Sequence, residues 1–273
     1  MTHHKLMVKG QKLTANIQYI LIALSALSVF SCSHSAMGGK GEDTADFKVE
    51  RVSYADSMIS DEGSIYYKAE IDIPVAGPDS LLNCIKAWIN DELGGSYTGE
   101  LNCDTAMLQS YAEYFFENDA DESYPGSGTQ FSIHKVYETS KYVSFVMEGH
   151  TYTGGETGMP FTKGMTFAKA DGARYDWEMF DETSDLKQLL CHGIKEQYFE
   201  NDSTTFTDAI EIMVKDTTDF PLPEADPWFI DDSVQFIYQP YEIAPFASGQ
   251  PTCKLALTDI LIFLTDKARA LVQ

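Results

Sequence analysis

The segment 64–75 is the strongest constraint that this sequence places on its fold, because its side chains alternate between apolar and polar. Apolar residues occupy every second position, and Lys68, Glu70 and Asp72 lie between them. The apolar positions are Ile65, Tyr67, Ala69, Ile71, Ile73 and Val75. A period of two predicts a β-strand with one face buried and the other exposed. Gly77-Pro78 marks the turn after it.

Helical periodicity follows this strand. Asp79 is predicted to cap a helix whose apolar residues recur three or four positions apart, and Gly94-Gly95 ends it. Asp104 opens a second helix with similar spacing. Two alternating segments, 129–137 and 142–152, are joined by a short polar loop and predict a β-hairpin. The order strand, helix, helix, hairpin indicates an α+β fold.

The second half of the chain shows the same mixture of periods. Its predicted elements are a strand at 161–169, a helix at 186–198, a short helix at 206–214, a strand at 234–238 and a closing helix at 257–271. We therefore expect an α+β fold with antiparallel sheets and with helices packed on one face. Two subdomains of related size are expected, at 47–150 and 151–273.

The last predicted strand leads into a loop, 239–249, that is rich in aromatic residues and proline. Pro240 and Pro245 restrict the backbone to an extended path. Three side chains of the loop are expected to pack inward: Tyr241, Ile243 and Phe246. Glu242 either accepts hydrogen bonds from local backbone amides, the interpretation that we favour, or faces a ligand. The chain is then predicted to pass through Cys253 into the closing helix.

The first 31 residues have the pattern of a secretory signal peptide. A segment with three lysines and no acid precedes an apolar segment, 19–30, that is too short to span a bilayer. The residues before Cys32 resemble the lipobox of bacterial lipoproteins, which are cut before the cysteine and acylated on it. We therefore predict a signal peptide at 1–31, lipidation of Cys32 and a flexible tether at 32–46. The predicted location is the cell envelope, facing the periplasm or the outer surface, with a lipid anchor in the membrane. An ordinary secretory signal is the alternative.

The charge of the chain limits its partners. It contains 42 acidic and 19 basic residues, a net charge of -23 at pH 7. Such a charge repels nucleic acid and favours basic partners. We therefore exclude nucleic-acid binding.

No sequence motif indicates a catalytic or metal site. His134, His150 and His192 lie in separate predicted elements, and no pair has the spacing of a metal-ligand motif. Serine-nucleophile motifs are also missing from the sequence. We expect neither a metal nor a cofactor, and a binding protein rather than an enzyme. The alternative is an enzyme that acts on cell-wall glycan with carboxylates such as Glu156 and Glu242.

Four cysteines follow Cys32 and allow three disulfide pairings. Cys84 and Cys103 are the closest in sequence and form the possible disulfide that we name. Buried thiols without a disulfide are an equally compatible interpretation.

Several stretches of the second half together resemble a known family. They are Tyr152–Gly158, Trp177-Glu178-Met179-Phe180 and Tyr241–Gly249. The combination is similar to the extracytoplasmic domain of unknown function that is shared by the anti-sigma factor RsiV and the peptidoglycan deacetylase PdaC. The likeness covers about residues 150–270. It implies a recognition module facing the envelope, and in RsiV this domain receives lysozyme, a strongly basic protein.

The resemblance implies a non-catalytic, lipid-anchored binding or sensing protein for a basic, lysozyme-like protein or for cell-wall glycan, including peptidoglycan. The hypothetical binding residues are Tyr152, Gly154, Gly155, Glu156, Tyr241, Glu242 and Phe246. The sequence departs from the family where Glu156-Thr157 stands in place of a frequent Ala-His pair. Any role of that histidine is therefore not carried over.

Overall fold

A six-stranded β-sheet dominates the first half of the chain in the computed structural model, which describes residues 46–60, 63–95, 97, 105–118, 126–152, 158–214 and 219–273. Its strands are β1 (Lys48–Ser60), β2 (Gly63–Ala76), β3 (Gly128–Glu138), β4 (Tyr142–Tyr152), β5 (Met159–Ala168) and β6 (Arg174–Tyr175). They lie in sequence order, and all neighbours are antiparallel except β2 and β3, which are parallel.

Two helices, α1 (Asp79–Glu92) and α2 (Thr105–Asn118), lie between β2 and β3 in the chain. A parallel strand pair needs such a crossover connection. Both helices pack on the face of the sheet to which the apolar side chains of β2 point. The buried core between them contains Tyr67, Ile71, Ile85, Trp88, Leu108 and Phe145, among others. The alternation in β2 therefore decides which face of the sheet carries the helices.

A second sheet belongs to the second half of the chain. It contains β7 (Trp228–Ile230), β8 (Ser233–Ile237) and β9 (Thr252–Ala256), all antiparallel. The helices of this half are α3 (Ser184–Gly193), α4 (Ser203–Ile210), α5 (Leu257–Ile260) and α6 (Asp266–Val272). A π-helical turn, Ile194–Tyr198, extends α3. Their shared core contains Leu186, Leu190, Phe220, Phe229, Phe236 and Tyr238.

The two sheets meet through a buried hydrogen-bond group on β4, β5 and β7. The hydroxyl of Ser144 donates to the carbonyl of Phe229 at 2.6 Å, and the amide of Phe229 donates to Thr166 Oγ1 at 2.9 Å. Next to them, a Cβ added to Gly164 would lie 2.2 Å from the ring of Trp228. The three-stranded sheet therefore covers one end of the face opposite α1 and α2. The rest of that face stays open.

The expected fold class is confirmed: sheets that are antiparallel, apart from the β2–β3 pair, carry packed helices. Residues 43–273 form a single compact unit, and β4 runs through position 150. The division into 47–150 and 151–273 stays a prediction. No helix among the described residues is long and apolar enough to cross a bilayer.

The strands predicted at 64–75, 129–137 and 142–152 are confirmed as β2, β3 and β4. β1 was not predicted; it is an edge strand on which Val49, Val52 and Tyr54 are only partly buried against the core and most other side chains are exposed. Its apolar residues do not recur at every second position as those of β2 do, so the period that predicts a strand is missing.

The predicted closing helix at 257–271 is wrong. The chain instead forms α5, a 3-10 turn at Leu261–Phe263 and α6. Leu264 leaves the helical path and forms an antiparallel bridge with Phe180. The carbonyl of Phe263 accepts a hydrogen bond from the amide of Asp181 at 2.8 Å. These bonds to a distant segment replace the helical bonds that the apolar spacing predicts.

Two smaller predictions are also wrong. Cys253 does not lead into a helix but lies in β9, opposite Phe236 of β8. Asp79 does not cap α1: it is the first helical residue, and Pro78 occupies the cap position without a side-chain hydrogen bond. The carboxylate of Asp79 therefore lies in the first turn, where the helix dipole favours a negative charge.

Candidate functional site

An open groove of about 840 Å³ crosses the uncovered part of the six-stranded sheet. It runs over β1 to β5, on the face opposite α1 and α2, and Gln250 lies at one end. Neighbouring strands are ~4.8 Å apart, so the groove spans roughly 19 Å from β1 to β5. The alternation that buries one face of β2 supplies the polar side chains of this groove on the other face.

Strand register places the groove side chains in two rows that run across the strands. The first, the carboxylate row, contains Ser53, Glu70, Ser132, Glu148 and Thr162. The second, the lysine row, contains Ala55, Lys68, Gln130, His150 and Pro160. Along each strand the two rows are two residue positions apart, a distance of ~6.7 Å. The floor thus carries hydroxyl, amide and charged groups, and Ala55 and Pro160 are its apolar positions.

A charged cluster forms one rim of the groove. Arg51 Nε donates to Asp72 Oδ1 at 2.8 Å, and Arg51 Nη1 lies 3.4 Å from Glu70 Oε1. His134 lies between the two acids, 3.3 Å from Asp72 Oδ2 and 3.4 Å from Glu70 Oε1. Burial opposes ionisation of Asp72, but hydrogen bonds from Arg51 and from the amide of Lys135 outweigh it and keep the pKa of Asp72 below its ordinary value. The cluster therefore holds Glu70 and His134 in fixed positions at the groove.

The aromatic loop 239–249 is attached to the groove by Gln239, its first residue, and by Gln250, which follows it. The side chain of Gln239 accepts from the amide of Thr162 at 3.2 Å and donates to its carbonyl at 2.7 Å. Gln250 donates to the side-chain oxygen of Gln239 at 2.9 Å, and Thr162 Oγ1 donates to Gln250 at 3.2 Å. These contacts bring the ends of the loop to β5.

Glu242 accepts hydrogen bonds from backbone amides, as favoured from the sequence. Its Oε2 accepts from the amide of Gln239 at 2.7 Å, and its Oε1 accepts from the amide of Glu224 at 2.6 Å. The second bond joins the loop to a segment that the sequence pattern does not link to it. Burial raises the pKa of Glu242 to about 7, against the effect of the two amide donors. Both oxygens of this carboxylate are thus engaged within the protein.

The other predicted site residues have different surroundings. Tyr152 is half-buried at the end of β4. The prediction that Tyr241 packs inward is wrong: its side chain is 53% exposed, and its backbone has φ +69°. Its ring centroid lies 5.8 Å from that of the half-buried Phe246. Only Ile243, which is fully buried, packs into the core as predicted.

Several predicted positions lie outside the described residues. They are Cys32 with the signal peptide 1–31 and nearly all of the tether 32–46, Cys103, and the loop positions Gly154, Gly155 and Glu156. The possible disulfide between Cys84 and Cys103 therefore stays a prediction. Cys191 and Cys253 are thiols without a disulfide, and burial raises the pKa of Cys253 to about 12. In the described ranges, no group of three or more His, Cys, Asp or Glu side chains has an arrangement that could hold a metal ion.

The sequence interpretation did not identify the groove residues as a site. The signal was present in the polar half of the alternation in β2, namely Lys68, Glu70 and Asp72. The sequence cannot show, however, which strands become neighbours. The parallel pairing of β2 with β3 brings Glu70 next to Ser132, 62 positions away, and this pairing depends on the crossover.

In a comparison with known protein families, part of this chain matches a family of unknown function. A family model described as "Protein of unknown function (DUF3298)" matches residues 178–257. That segment contains α3, the π-helical turn, α4 and the second sheet; β1 to β6 precede it. No curated protein matches this chain in sequence.

Two solved structures have a similar fold. A DUF3298 family protein from Pseudomonas aeruginosa PAO1 has a TM-score of 0.61 and is 16% identical, over 81% of this chain and 96% of that chain. A member of the same family from Bacteroides fragilis has a TM-score of 0.66 and is 15% identical, over 82% of this chain and 95% of that chain. At such identities the similarity establishes the fold alone.

Proposed function

We propose that this protein is a lipid-anchored, non-catalytic binding protein of the cell envelope, and that the groove over the six-stranded sheet binds peptidoglycan. The observation that carries the proposal is the open floor of the groove, on which the two rows present hydroxyl, amide and charged side chains. Sugars and short peptides present many groups that both donate and accept hydrogen bonds, and Gln130, Ser132 and Thr162 offer both functions. A roughly 19 Å path over β1 to β5 suits an extended chain rather than a small molecule.

The surroundings of the acids favour binding over catalysis. Glu70, one of the two floor carboxylates, is engaged by Arg51 and His134. Glu242, the acid considered for an enzymatic role, is engaged by two backbone amides. The proposal therefore gives these carboxylates a positioning role and no proton transfer.

Blocking the centre of the groove tests the proposal. Ser132 is half-buried on β3, the middle strand of the five, so Ser132→Trp fills the floor. We expect purified protein to sediment with insoluble peptidoglycan, and Ser132→Trp to reduce the bound fraction at least about tenfold. Ser140→Trp is the matched control, because Ser140 is exposed in the β3–β4 turn, outside the groove. Equal sedimentation of both variants and the unchanged protein would contradict the proposal.

The location is a separate part of the proposal and has its own test. The lipobox resemblance at Cys32 supports acylation, and the predicted tether would leave the folded part free to reach the cell wall. Mass spectrometry of the mature protein should find an acylated Cys32 at the N-terminus. An unmodified Cys32, or cleavage at another position, argues against the anchor.

A second candidate ligand is a basic, lysozyme-like protein. The net charge of -23 supports it, because electrostatic complementarity accelerates and orients such binding. The resemblance to the extracytoplasmic domain of RsiV points to the same ligand. Calorimetry with lysozyme at low and at high salt tests it: heat that vanishes with salt supports surface binding, and no heat at low salt excludes it. Binding of lysozyme that Ser132→Trp leaves unchanged would place it outside the groove.

A further inference from the structure

Two groups of opposite charge in the groove floor have no partner of opposite charge among the described residues: Lys68 and Glu148. Lys68 Nζ lies 5.7 Å from the ring centroid of Tyr66, beyond reach of a described carboxylate. Glu148 is exposed and forms neither a hydrogen bond nor an ion pair with a described residue. The other floor acid, Glu70, lies 3.4 Å from Arg51, which it shares with Asp72.

Several other lysines of this acidic protein pair with carboxylates. Lys163 Nζ lies 2.7 Å from Glu92, and Lys187 Nζ lies 2.6 Å from Asp219. Lys68 differs because its neighbours in the lysine row are uncharged. Its positive charge is therefore available inside the groove, although the chain as a whole is strongly negative.

The spacing of the two charges suits a short peptide. Lys68 and Glu148 lie two strands and two residues apart, which places their backbone positions roughly 12 Å from each other. An extended chain covers ~3.3 Å per residue, so three or four residues bridge this distance. The polar side chains of Gln130 and Ser132 lie between the two charges in the rows.

We infer that the groove recognises a short peptide that carries both an amine and a carboxylate, with the amine at Glu148 and the carboxylate at Lys68. This inference rests on the proposed function and assigns the contact to the peptide part of peptidoglycan rather than to its sugars. Because each charge is already exposed, the ligand pairs with it without first breaking an ion pair of the protein. A neutral sugar chain leaves both charges unpaired in the bound state.

The test uses tetra-alanine with free ends, its N-acetylated form and its C-amidated form, with binding measured by NMR titration of the purified protein. An exposed ion pair contributes up to about 1 kcal/mol, which is about fivefold in Kd. We expect acetylation and amidation each to weaken binding about fivefold. Glu148→Gln should abolish only the effect of acetylation, and Lys68→Gln only the effect of amidation.

Controls outside the groove are Glu117→Gln on α2 and Lys267→Gln on α6, both exposed. They should leave both effects unchanged. The inference is overturned if blocked and free peptides bind equally, if free tetra-alanine does not bind, or if Glu148→Gln keeps the preference for the free amine. Should peptidoglycan still bind in a manner sensitive to Ser132→Trp, the proposed function stands while this inference fails. If the unchanged protein does not bind peptidoglycan at all, the proposed function itself is contradicted.

Discussion

Glu242 connects two segments through backbone amides, and replacing it should destabilise the fold. Glu242→Ala leaves the amides of Gln239 and Glu224 without their acceptor. An amide that loses its partner costs about 1–3 kcal/mol when buried, and the half-buried position lets water compensate in part. We expect the free energy of unfolding to fall by about 2–4 kcal/mol. Glu242→Gln keeps one acceptor oxygen and should cost about 1–2 kcal/mol.

The pH dependence of this effect follows from the raised pKa of Glu242. Its pKa in the folded protein is about 7, above the ordinary value of 4.5, so folding favours the protonated acid. The stability that it contributes is fully present below pH 4.5 and is lost as pH rises through about 7. Such a difference corresponds to at most about 3 kcal/mol, which solvent screening of a half-buried group reduces to about 1–2 kcal/mol.

Urea unfolding, followed by tryptophan fluorescence between about pH 5 and about pH 8.5, measures both effects. Asp226 titrates in the same window, because burial and the nearby Asp176 raise its pKa to about 6. The difference between the unchanged protein and Glu242→Gln therefore isolates Glu242. Glu117→Gln, an exposed substitution on α2, is the control. A Glu242→Ala variant within about 0.5 kcal/mol of the unchanged protein would falsify the reasoning, as would a pH profile that Glu242→Gln leaves unaltered.

Three further predictions concern stability, and urea unfolding measures each. Gly172→Ala should cost about 2–4 kcal/mol, because its φ of +76° favours glycine and the new Cβ would lie 2.7 Å from a carbonyl of α1. The control Gly95→Ala, at φ +64° in open space, should cost only about 1 kcal/mol. Equal costs for the two variants would refute the steric part of this prediction. Ser144→Ala should cost about 1–3 kcal/mol, since it leaves the buried carbonyl of Phe229 without its donor; a neutral change would mean that the junction between the sheets does not depend on this bond. Asp72→Asn should cost about 1–3 kcal/mol at neutral pH. The lowered pKa of Asp72 stabilises the protein above its ordinary value of 3.8, and this contribution is lost as pH falls through the folded pKa, so the variant should show a flatter acid limb than the unchanged protein.

Local patterns were sufficient to predict much of the sheet. The alternation in β2 and in the β3–β4 hairpin is a property of neighbouring residues, and a period of two is compatible with few other structures. The same reasoning identified Glu242 as an acceptor of backbone hydrogen bonds, because a carboxylate between two prolines in a loop that packs on the core must find donors nearby. The fold class followed from these elements.

Predictions failed where distant segments compete for the same backbone groups. The residues 257–271 have helical spacing, yet the bridge between Leu264 and Phe180 interrupts them. Tyr241 was expected to pack inward like Ile243, but its positive φ turns the chain and leaves its ring exposed beside Phe246. Neither outcome depends on the local apolar pattern.

The groove shows the same difference between what local sequence patterns predict and what contacts between distant segments decide. The sequence alone established that Lys68, Glu70 and Asp72 share the polar face of a strand, because alternation is a local property. It did not establish that Glu148 and Thr162 continue the same row. Their positions depend on strand order, on the parallel pairing of β2 with β3 and on the part of the face that the second sheet leaves uncovered. These are contacts between residues far apart in the chain, and tertiary packing alone selects them.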